Sequence, residues 1–187
     1  CLDTALNRPA EVILVGASAG SLMGHVRPSL DIDFEIRVRG RKIAGMVLDS
    51  AVREASQKAG VAANYSENIN GWSRINYLNY RKTAVPYRQI GKLAVKLAAP
   101  EYWTIGKMAR FLELDIQDMI KVIRSKKLKP KTLIAVWVRA IQASDLSLEL
   151  GQFRDHVIYF LRHHGKKIWG ARTDPETLIR DFEKKLK

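Results

Sequence analysis

The feature that most constrains the fold is the strict alternation of charged and apolar residues in the segment DIDFEIRV, residues 31–38. A period of two is the side-chain period of a β-strand, so the segment predicts a strand. One face of that strand would carry Ile32, Phe34, Ile36 and Val38, and the other Asp31, Asp33, Glu35 and Arg37. The alternation therefore predicts a strand with one apolar face and one charged face.

The segments around this strand predict a mixture of strands and helices. Residues 11–15 (EVILV) are a short apolar run typical of a buried strand, and residues 17–23 predict a short helix that ends at Gly24. Gly40 predicts a turn, residues 43–59 an amphipathic helix closed by Gly60, and residues 64–71 a polar loop. Residues 74–80 and 91–97 alternate and predict two further strands.

The pattern changes after Pro100, where helical periodicity replaces alternation. Helices are predicted over residues 101–113, 116–126, 131–143, 149–163 and 175–186. Residues 1–100 are therefore expected to form a sheet-containing domain, and residues 101–187 an all-helical one. The predicted fold class is α/β (α+β), with a small mixed sheet followed by a helical C-terminal half.

The composition narrows the choice of partners. The chain has 187 residues and a formal net charge of +13, from 32 Lys and Arg against 19 Asp and Glu, with the excess spread over both halves. This balance favours polyanionic partners such as nucleic acid or nucleotides, although charge that serves solubility alone would also explain it. No apolar run reaches the length of a membrane span, no secretory leader opens the sequence, and Cys1 is the single cysteine. These features predict a cytoplasmic protein without a membrane segment.

Asp31 and Asp33 are the residues that point most directly to chemistry. Two positions apart on a strand, their carboxylates share one face, with Cα atoms about 7 Å apart. Such a pair suits Mg²⁺, which binds one or two carboxylates together with substrate phosphates, whereas the alternative is a solvated strand face. The preceding strand runs into Gly16 and a helix start, where free backbone N–H groups can bind phosphate. The chain then returns to the aspartates through Arg27 and Ser29.

The segment VGASAGSLMGHVRPSLDIDF, residues 15–34, resembles the signature of DNA polymerase β-like nucleotidyltransferases, in particular the bacterial stand-alone type that includes AbiEii-like toxins. The resemblance implies Mg²⁺ or Mn²⁺ at Asp31 and Asp33, and nucleotide binding by Gly16, Ala17, Ser18, Arg27 and Ser29. Ala17 departs from the family pattern, which usually has glycine or serine at that position. A different phasing would take Gly20 and Ser21 as the Gly-Ser pair.

A second segment, PEYWTIGKMARFLELDIQDMI at residues 100–120, resembles a later element of the same family. Lys107 falls on the family's lysine, with a catalytic role in neutralising the triphosphate, and Arg110 falls on its arginine. Asp115 and Asp118 fall on an acidic pair that would orient these cations or hold the helical half on the sheet. Because Lys107 and Arg110 are three residues apart on a helix, they share a face. The alternative for all four residues is a surface salt-bridge cluster.

The resemblance implies a metal-dependent nucleotidyltransferase that moves a nucleoside monophosphate from an NTP to an acceptor hydroxyl. Family analogy suggests a toxin–antitoxin or defence role, with a cognate antitoxin protein as partner and tRNA or another structured RNA as acceptor. Active members usually add a third carboxylate from a later strand, but residues 74–80 contain none, and Glu35 and Glu67 are the nearest substitutes. The alternative is a non-catalytic module of the same fold that binds nucleic acid or a protein partner. A cationic small-molecule acceptor would call for an acidic pocket, which the basic balance disfavours.

Two further groups of residues have less specific interpretations. The basic run RSKKLKPK, residues 124–131, lies between two predicted helices and suits either a phosphate backbone or a solvated loop. His156, His163 and His164 lack a cysteine or carboxylate at ligand spacing, so we interpret them as part of a surface helix end. The four tryptophans are interpreted as core anchors.

Overall fold

The computed structural model describes residues 1–24, 26–40 and 44–187. Over these ranges the strands are β1 (Ala10–Leu14), β2 (Asp31–Val38), β3 (Ala62–Ser66), β4 (Val85–Ile90) and β5 (Leu93–Leu97). The α-helices are α1 (Leu2–Leu6), α2 (Gly16–Gly24), α3 (Gly45–Ala59), α4 (Tyr80–Thr83), α5 (Pro100–Arg110), α6 (Glu113–Ser125), α7 (Pro130–Gln142), α8 (Leu148–Trp169) and α9 (Pro175–Leu186). A short 3₁₀ helix spans Ile69–Trp72.

The described strands form a five-stranded mixed sheet with the order β3-β2-β1-β5-β4. The central strand β1 pairs antiparallel with β2 and parallel with β5. At the edges, β3 pairs parallel with β2, and β4 pairs antiparallel with β5. In the β2–β3 register, Asp33 lies opposite Asn64. The predicted fold class, α/β (α+β) with a small mixed sheet and a helical C-terminal half, is confirmed.

Different elements cover the two faces of the sheet. On one face, Phe34 and Ile36 of β2 pack with Leu48 of α3, and Leu6 of α1 joins them. On the other face a larger core joins β1 and α2 to the C-terminal helices, and its fully buried members include Trp137, Phe153, Phe160 and Phe182. Because this core contains residues from both sides of Pro100, the helical half packs directly on the sheet. The division into domains 1–100 and 101–187 stays a prediction.

Residues 74–80 are predicted as a strand, but residues 74–79 form an irregular connection and Tyr80 begins α4, so that prediction is wrong. Side chains accept hydrogen bonds from backbone N–H groups that would otherwise pair with a neighbouring strand. The Tyr77 N–H donates to the side-chain oxygen of Asn70, and the Ile75 N–H donates to the hydroxyl oxygen of Ser73. Leu78 adopts a left-handed conformation with φ of 57°, which a regular strand does not contain.

The prediction of a loop over residues 64–71 is wrong in its first part, because residues 64–66 belong to β3. β4 is absent from the sequence prediction altogether. It is an edge strand without a buried residue, and Pro86 lies at an irregularity in its pairing with β5. A strand of this kind has no apolar periodicity by which the sequence could mark it.

Along β2 the predicted faces hold only in part. Phe34 and Ile36 are buried, but Ile32 near the start of the strand is 36% exposed. On the charged face Glu35 is fully buried, where it accepts hydrogen bonds from the Arg81 guanidinium and the Tyr80 hydroxyl. These donors offset the cost of removing a carboxylate from water.

The helices predicted after Pro100 agree with the structure to within a few residues, except that α8 continues to Trp169. Gly60 closes α3 in a left-handed conformation with φ of 64°, whereas the predicted start of that helix at Ile43 lies outside the described residues. In the described part of the chain, no helix is both long enough and apolar enough to cross a membrane.

Candidate active site

Asp31 and Asp33 project from the same face of β2, and a third side chain joins them there. The Asn64 side-chain amide of β3 donates to Asp31 Oδ2 at 3.2 Å and to Asp33 Oδ1 at 3.0 Å. The Ser29 hydroxyl donates to the second oxygen of Asp31 at 3.0 Å. These donors are neutral groups, so they orient the two carboxylates without cancelling their charge.

Gly16 brings the backbone at the start of α2 against Asp33. Its φ is +61°, a left-handed conformation that favours glycine, and a Cβ at this position would lie 2.2 Å from Asp33 Oδ2. The Val15 N–H donates to the Asp33 carbonyl oxygen at 2.9 Å, which ties the end of β1 to β2. The glycine loop and the aspartate pair, expected to cooperate from the sequence, are therefore in direct contact.

The helical half holds α2 through glycine contacts. Trp103 of α5 donates its indole N–H to the Gly16 carbonyl oxygen at 2.6 Å. The Trp103 ring also packs on Gly20, where a Cβ would lie 2.7 Å from it. At the far end of α2, a Cβ on Gly24 would lie 2.8 Å from Val122 of α6. The position of α2, and with it the loop beside Asp33, is set by the helices that follow residue 100.

The loop can bind an anion through its backbone more readily than through its side chains. Ala17 is buried, and the Ser18 hydroxyl donates back to the Val15 carbonyl oxygen at 3.1 Å. The N–H groups at the start of α2 are the remaining donors. The alternative phasing takes Gly20 and Ser21 as the Gly-Ser pair of the family signature. Because Gly20 lies inside the helix and Gly16 lies beside Asp33, the geometry favours Gly16 as the first glycine of that signature.

A cleft of about 850 Å³ opens between the sheet and the helical half, with Gly16 and Asp33 on its wall. Lys107 and Arg110 of α5 also line this cleft, so candidate residues from both halves of the chain meet in one cavity. Arg74 adds an exposed cation to the lining. The volume is in the range of sites for small molecules and cofactors.

The cleft also has aromatic walls, formed by Trp72, Tyr77, Tyr102 and Trp103, which sequence reasoning did not assign to the site. Tyr77 packs so closely on α5 that a Cβ at Gly106 would lie 2.8 Å from its hydroxyl oxygen. Burial raises the pKa of Tyr77 to about 12, so the phenol stays protonated and can donate a hydrogen bond to a ligand. Trp72 is 44% exposed, which departs from the expectation that the tryptophans are core anchors.

Lys107 is almost fully buried and already paired. Its ammonium donates to Asp115 Oδ1 at 2.9 Å and to Asp118 Oδ2 at 2.8 Å, and it lies 5.4 Å from the centre of the Trp103 ring. Arg110 contacts both oxygens of Asp115, at 2.7 and 2.6 Å. The four residues thus form an ion-pair cluster, as in the alternative interpretation, but Lys107, Asp115 and Asp118 are buried and only Arg110 reaches the surface.

This cluster keeps Asp115 ionised although its side chain is fully buried. Burial would raise the pKa of the carboxyl, but hydrogen bonds from Arg110 and Lys107 outweigh that effect and hold the pKa below its ordinary value. The hydrogen bonds to Asp115 in turn raise the pKa of Arg110, and the charge of Asp33 adds to this. The Arg110 side chain is still 55% exposed, so it can reach a ligand beside Asp33. Lys107 can do so only if its ion pairs open.

Arg27 lies between α2 and β2. Its Nε is 3.6 Å from Asp118 Oδ2 and is buried, and among the described residues it has no hydrogen-bond acceptor. The side chain as a whole is 36% exposed. The exposed part of this side chain is what can reach a phosphate oxygen, which is the contact that the resemblance implies.

Among the described residues, neither of the acids considered as a third carboxylate forms a metal-binding group with the aspartate pair. Glu35 is occupied by Arg81, whose Nη2 donates to it at 3.0 Å in the interior. Glu67 is exposed on the loop after β3 and does not line the described cleft. The strand beside β2 is β3, and opposite Asp33 it carries Asn64. Sequence reasoning missed Asn64 because the segment AANYS has no alternation.

The carboxylate oxygens of Asp31 and Asp33 are suitable ligands for a hard divalent cation. One oxygen of each carboxylate converges on the same Asn64 nitrogen, and the lack of a Cβ at Gly16 lets the Asp33 carboxylate lie against the backbone at the start of α2. Two carboxylates with substrate phosphates are a usual donor set for Mg²⁺. In residues 1–24, 26–40 and 44–187, no three His, Cys, Asp or Glu side chains are placed to hold a metal ion by themselves. The phosphates would therefore have to complete the coordination.

The basic run at residues 124–131 lies where α6 joins α7, next to the C-terminal end of α8. Trp169 donates its indole N–H to the Leu128 carbonyl oxygen at 2.9 Å, which ties the two segments together. We call the exposed cations that this contact assembles the basic surface: Arg124, Lys126, Lys127, Lys129, Lys131, Lys166 and Lys167. The structure thus adds Lys166 and Lys167 of α8 to the basic run that the sequence showed.

The three histidines lie on α8 within an aromatic cluster. His156 Nδ1 is 2.9 Å from the Met108 carbonyl oxygen, and its ring stacks on Phe111 with centroids 4.4 Å apart. The ring of Tyr159 packs on His163 with centroids 4.2 Å apart. These contacts support the packing of α8 on the end of α5.

Comparisons with known proteins do not identify a family for this chain. No protein-family model, curated protein or solved structure matches the chain. The resemblance to nucleotidyltransferases therefore rests on residues 15–34 and 100–120 and stays a prediction.

Proposed function

We propose that the chain is a metal-dependent nucleotidyltransferase that transfers a nucleoside monophosphate from an NTP to an acceptor hydroxyl. The observation that carries the proposal is the direct contact between Asp33 and Gly16, which sets an acidic pair beside the start of α2. A phosphate held by the N–H groups of that helix start would lie next to a cation held by Asp31 and Asp33. The cleft beside them has room for the rest of a nucleotide.

The residues around the cleft have separate tasks in this proposal. The backbone of Gly16 and Ala17 binds a phosphate, and the partly exposed Arg27 and Arg110 donate to further phosphate oxygens. Tyr77 and the other aromatic side chains of the wall contact the base or sugar. Lys107, Asp115 and Asp118 hold α5 against α6 and so position Arg110. Ser29 orients Asp31.

In the reaction, the acceptor oxygen forms a bond to the α-phosphorus while the bond to the bridging oxygen breaks, and pyrophosphate leaves with the electron pair. The proton of the acceptor hydroxyl passes to water. A bound divalent cation supplies neutralisation of the phosphate charge. Because no third carboxylate of the described residues joins Asp31 and Asp33 in such a group, we expect no general base at this position and slow turnover.

The test is label transfer from each of the four α-labelled NTPs in the presence of Mg²⁺ and total cellular RNA. Wild-type protein should label the RNA, and the double variant Asp31→Asn, Asp33→Asn should not. Glu67→Gln is the matched control, because it removes an exposed acid that lies outside the described cleft. No transfer to RNA, protein or small molecules from any NTP would contradict the proposal.

We infer that the acceptor is a structured RNA, for which tRNA is the first candidate. α2 has nine residues and is about 13 Å long. One end touches Asp33, and the other touches Ser125 at the end of α6, where the basic surface begins. The basic surface thus lies about one length of α2 from the aspartates, where its cations can bind phosphates of the same nucleic-acid backbone. Exposed large apolar side chains of the described residues lie outside this surface, which argues against an anionic membrane as its ligand.

A second candidate function is a non-catalytic module of the same fold that binds nucleic acid or a protein. The observation that favours it is Asn64, an amide at the position beside Asp33 where a carboxylate would complete a catalytic site. RNA binding without label transfer would support this candidate. A cognate antitoxin partner and a cytoplasmic location follow from the family resemblance and the composition, and they stay predictions.

A further inference from the structure

We propose that Asn64 becomes a third ligand of the cation at Asp31 and Asp33, and that its side-chain amide turns over to do so. The inference rests on the proposed function, because it concerns the cation that this function requires. In the structure the Asn64 nitrogen donates to Asp31 Oδ2 at 3.2 Å and to Asp33 Oδ1 at 3.0 Å. An amide nitrogen is a donor only, because its lone pair is delocalised into the carbonyl group, so it cannot bind a cation.

The position of Asn64 follows from the sheet. β3 pairs parallel with β2, and the register places Asn64 opposite Asp33. A side chain directly across an adjacent strand lies on the same face, with Cβ atoms about 5 Å away. Asn64 is also exposed, so no core packing fixes the orientation of its amide. The backbone therefore delivers this side chain to the pair, and only the local charges decide which end of the amide faces it.

The two ends of the amide suit two states of the site. The NH₂ group holds two carboxylates together while they carry unneutralised charge. After a half turn about the Cβ–Cγ bond, the carbonyl oxygen stands where the nitrogen was. That oxygen would be repelled by the carboxylates alone but attracted by a divalent cation, for which it is an ordinary ligand. Cation binding and the turn of Asn64 are thus coupled. A carboxylate at position 64 has no NH₂ group, so it would bind the cation without first having to rotate.

The test measures Mn²⁺ affinity by electron paramagnetic resonance in wild type, Asn64→Asp and Asn64→Leu. Leucine approximates the shape of asparagine without its polar atoms. We expect Asn64→Asp to bind Mn²⁺ about tenfold or more tightly than wild type, and Asn64→Leu about tenfold or more weakly. Asn79→Asp is the control, because it adds the same charge at an exposed asparagine whose side chain makes no capping hydrogen bond. Its affinity should equal that of wild type.

The turn itself has a spectroscopic signature. The ¹⁵N side-chain amide signals of Asn64 should shift when Mg²⁺ is added to wild type, and the shift should be lost in the double variant Asp31→Asn, Asp33→Asn. Asn64→Leu binding Mn²⁺ as tightly as wild type, or more tightly, would overturn the inference, because the amide would then only obstruct the pair.

The outcomes also separate this inference from the proposed function. Mn²⁺ binding in the expected order without label transfer would support the role of Asn64 and contradict the nucleotidyltransferase proposal alone. No Mn²⁺ binding by either wild type or Asn64→Asp would overturn both the inference and the cation site. In each case circular dichroism spectra that match wild type confirm that the variants are folded.

Discussion

Two aspartate pairs lie near the same cleft, and they differ in burial and in the charge of their hydrogen-bond partners. Asp31 and Asp33 are half-buried on a strand, and their hydrogen bonds come from the neutral side chains of Ser29 and Asn64. Asp115 and Asp118 are buried on α6, and their partners are the cations Lys107, Arg110 and Arg27.

The difference shows which carboxylates can serve a ligand. A buried carboxylate is stable only when a cation offsets the cost of removing it from water. The pair on α6 is therefore neutralised by cations inside the protein, and these ion pairs join α5 to α6. A carboxylate that keeps contact with water can retain its charge until a ligand arrives. Of the two pairs, Asp31 and Asp33 are therefore the one available to a ligand, and both pairs can be tested by what their removal does to folding.

The largest effect on stability is expected for Asp115→Asn. The variant leaves Lys107 buried with one acidic partner and deprives Arg110 of its bidentate contact. Removing one partner of a buried ion pair costs about 3–5 kcal/mol, and we expect a loss of that size in the free energy of unfolding. Urea denaturation at pH 7 measures it. A loss below about 1 kcal/mol would mean that the two aspartate pairs are energetically alike.

The contribution of Asp115 should also depend on pH. Its pKa in the folded protein lies below the ordinary value of 3.8, so its ionised form stabilises the fold above that pH. As the pH falls from 3.8 through the folded-state pKa, this contribution is lost. The difference in unfolding free energy between wild type and Asp115→Asn should therefore be constant near neutrality and shrink below pH 3.8. A difference that grows on acidification would contradict the assignment.

An intermediate effect is expected for Gly16→Ala, which joins backbone strain to a clash with Asp33. A left-handed non-glycine residue costs about 1–2 kcal/mol, and the new Cβ would also push on the Asp33 carboxylate. Gly60→Ala is a matched control, because Gly60 has a similar φ of 64° but open space where its Cβ would stand. Gly16→Ala should therefore lose more stability than Gly60→Ala and should weaken Mn²⁺ binding. Equal losses with unchanged Mn²⁺ affinity would show that Gly16 serves only the turn.

The double variant Asp31→Asn, Asp33→Asn should change the unfolding free energy by only about 0.5 kcal/mol, since both half-buried carboxylates lie outside the core and asparagine keeps their shape. It should nevertheless abolish Mg²⁺-dependent NTP binding, because the two negative charges that attract the cation are lost. Calorimetric titration with an NTP, with and without Mg²⁺, measures this. Unchanged affinity in the variant would remove the metal site from Asp31 and Asp33.

No effect on stability is expected when Lys126, Lys127 and Lys129 are changed together to Ala, but RNA binding should become less dependent on salt. Each lost phosphate contact reduces the slope of log K against log[salt] by about 0.9 for duplex nucleic acid, so up to about 2.7 in total. Filter binding of total tRNA at several salt concentrations measures the slope.

The matched control removes Lys184, Lys185 and Lys187 instead. The Gln142 amide donates to the carbonyl oxygen of Lys185, so this group lies at the end of α7 opposite to Lys129. The control variant should keep the wild-type slope. Equal changes in both variants would mean that RNA responds to net charge and does not recognise the basic surface.

Much of the fold followed from periodicity, because periodicity reports burial. The alternation over residues 31–38 gave β2 with the bounds that the structure has, and the apolar spacing after Pro100 gave the later helices. The position of Gly16 between an apolar run and a helix was enough to expect a loop near Asp33. Each of these features is local, so each leaves a trace in consecutive residues.

What could not be predicted depends on partners far along the chain. β3 has no alternation, and so Asn64 was not expected beside the aspartates. The burial of Lys107 and the aromatic wall around Tyr77 arise only when the helical half packs on the sheet. Helical spacing showed that Lys107 and Arg110 share a face, but it does not tell whether that face meets water or protein.

The hydrogen bond from Trp103 to Gly16 has a consequence for the order of events during synthesis. It joins residues 87 positions apart, and Gly16 is the residue that touches Asp33. When a ribosome has released the sheet strands, Trp103 is still to come, and the loop beside the aspartates lacks its support. N-terminal segments generally fold first, but here the loop waits for a helix made later. The loop is therefore supported only after Trp103 has been made and α5 has packed on α2.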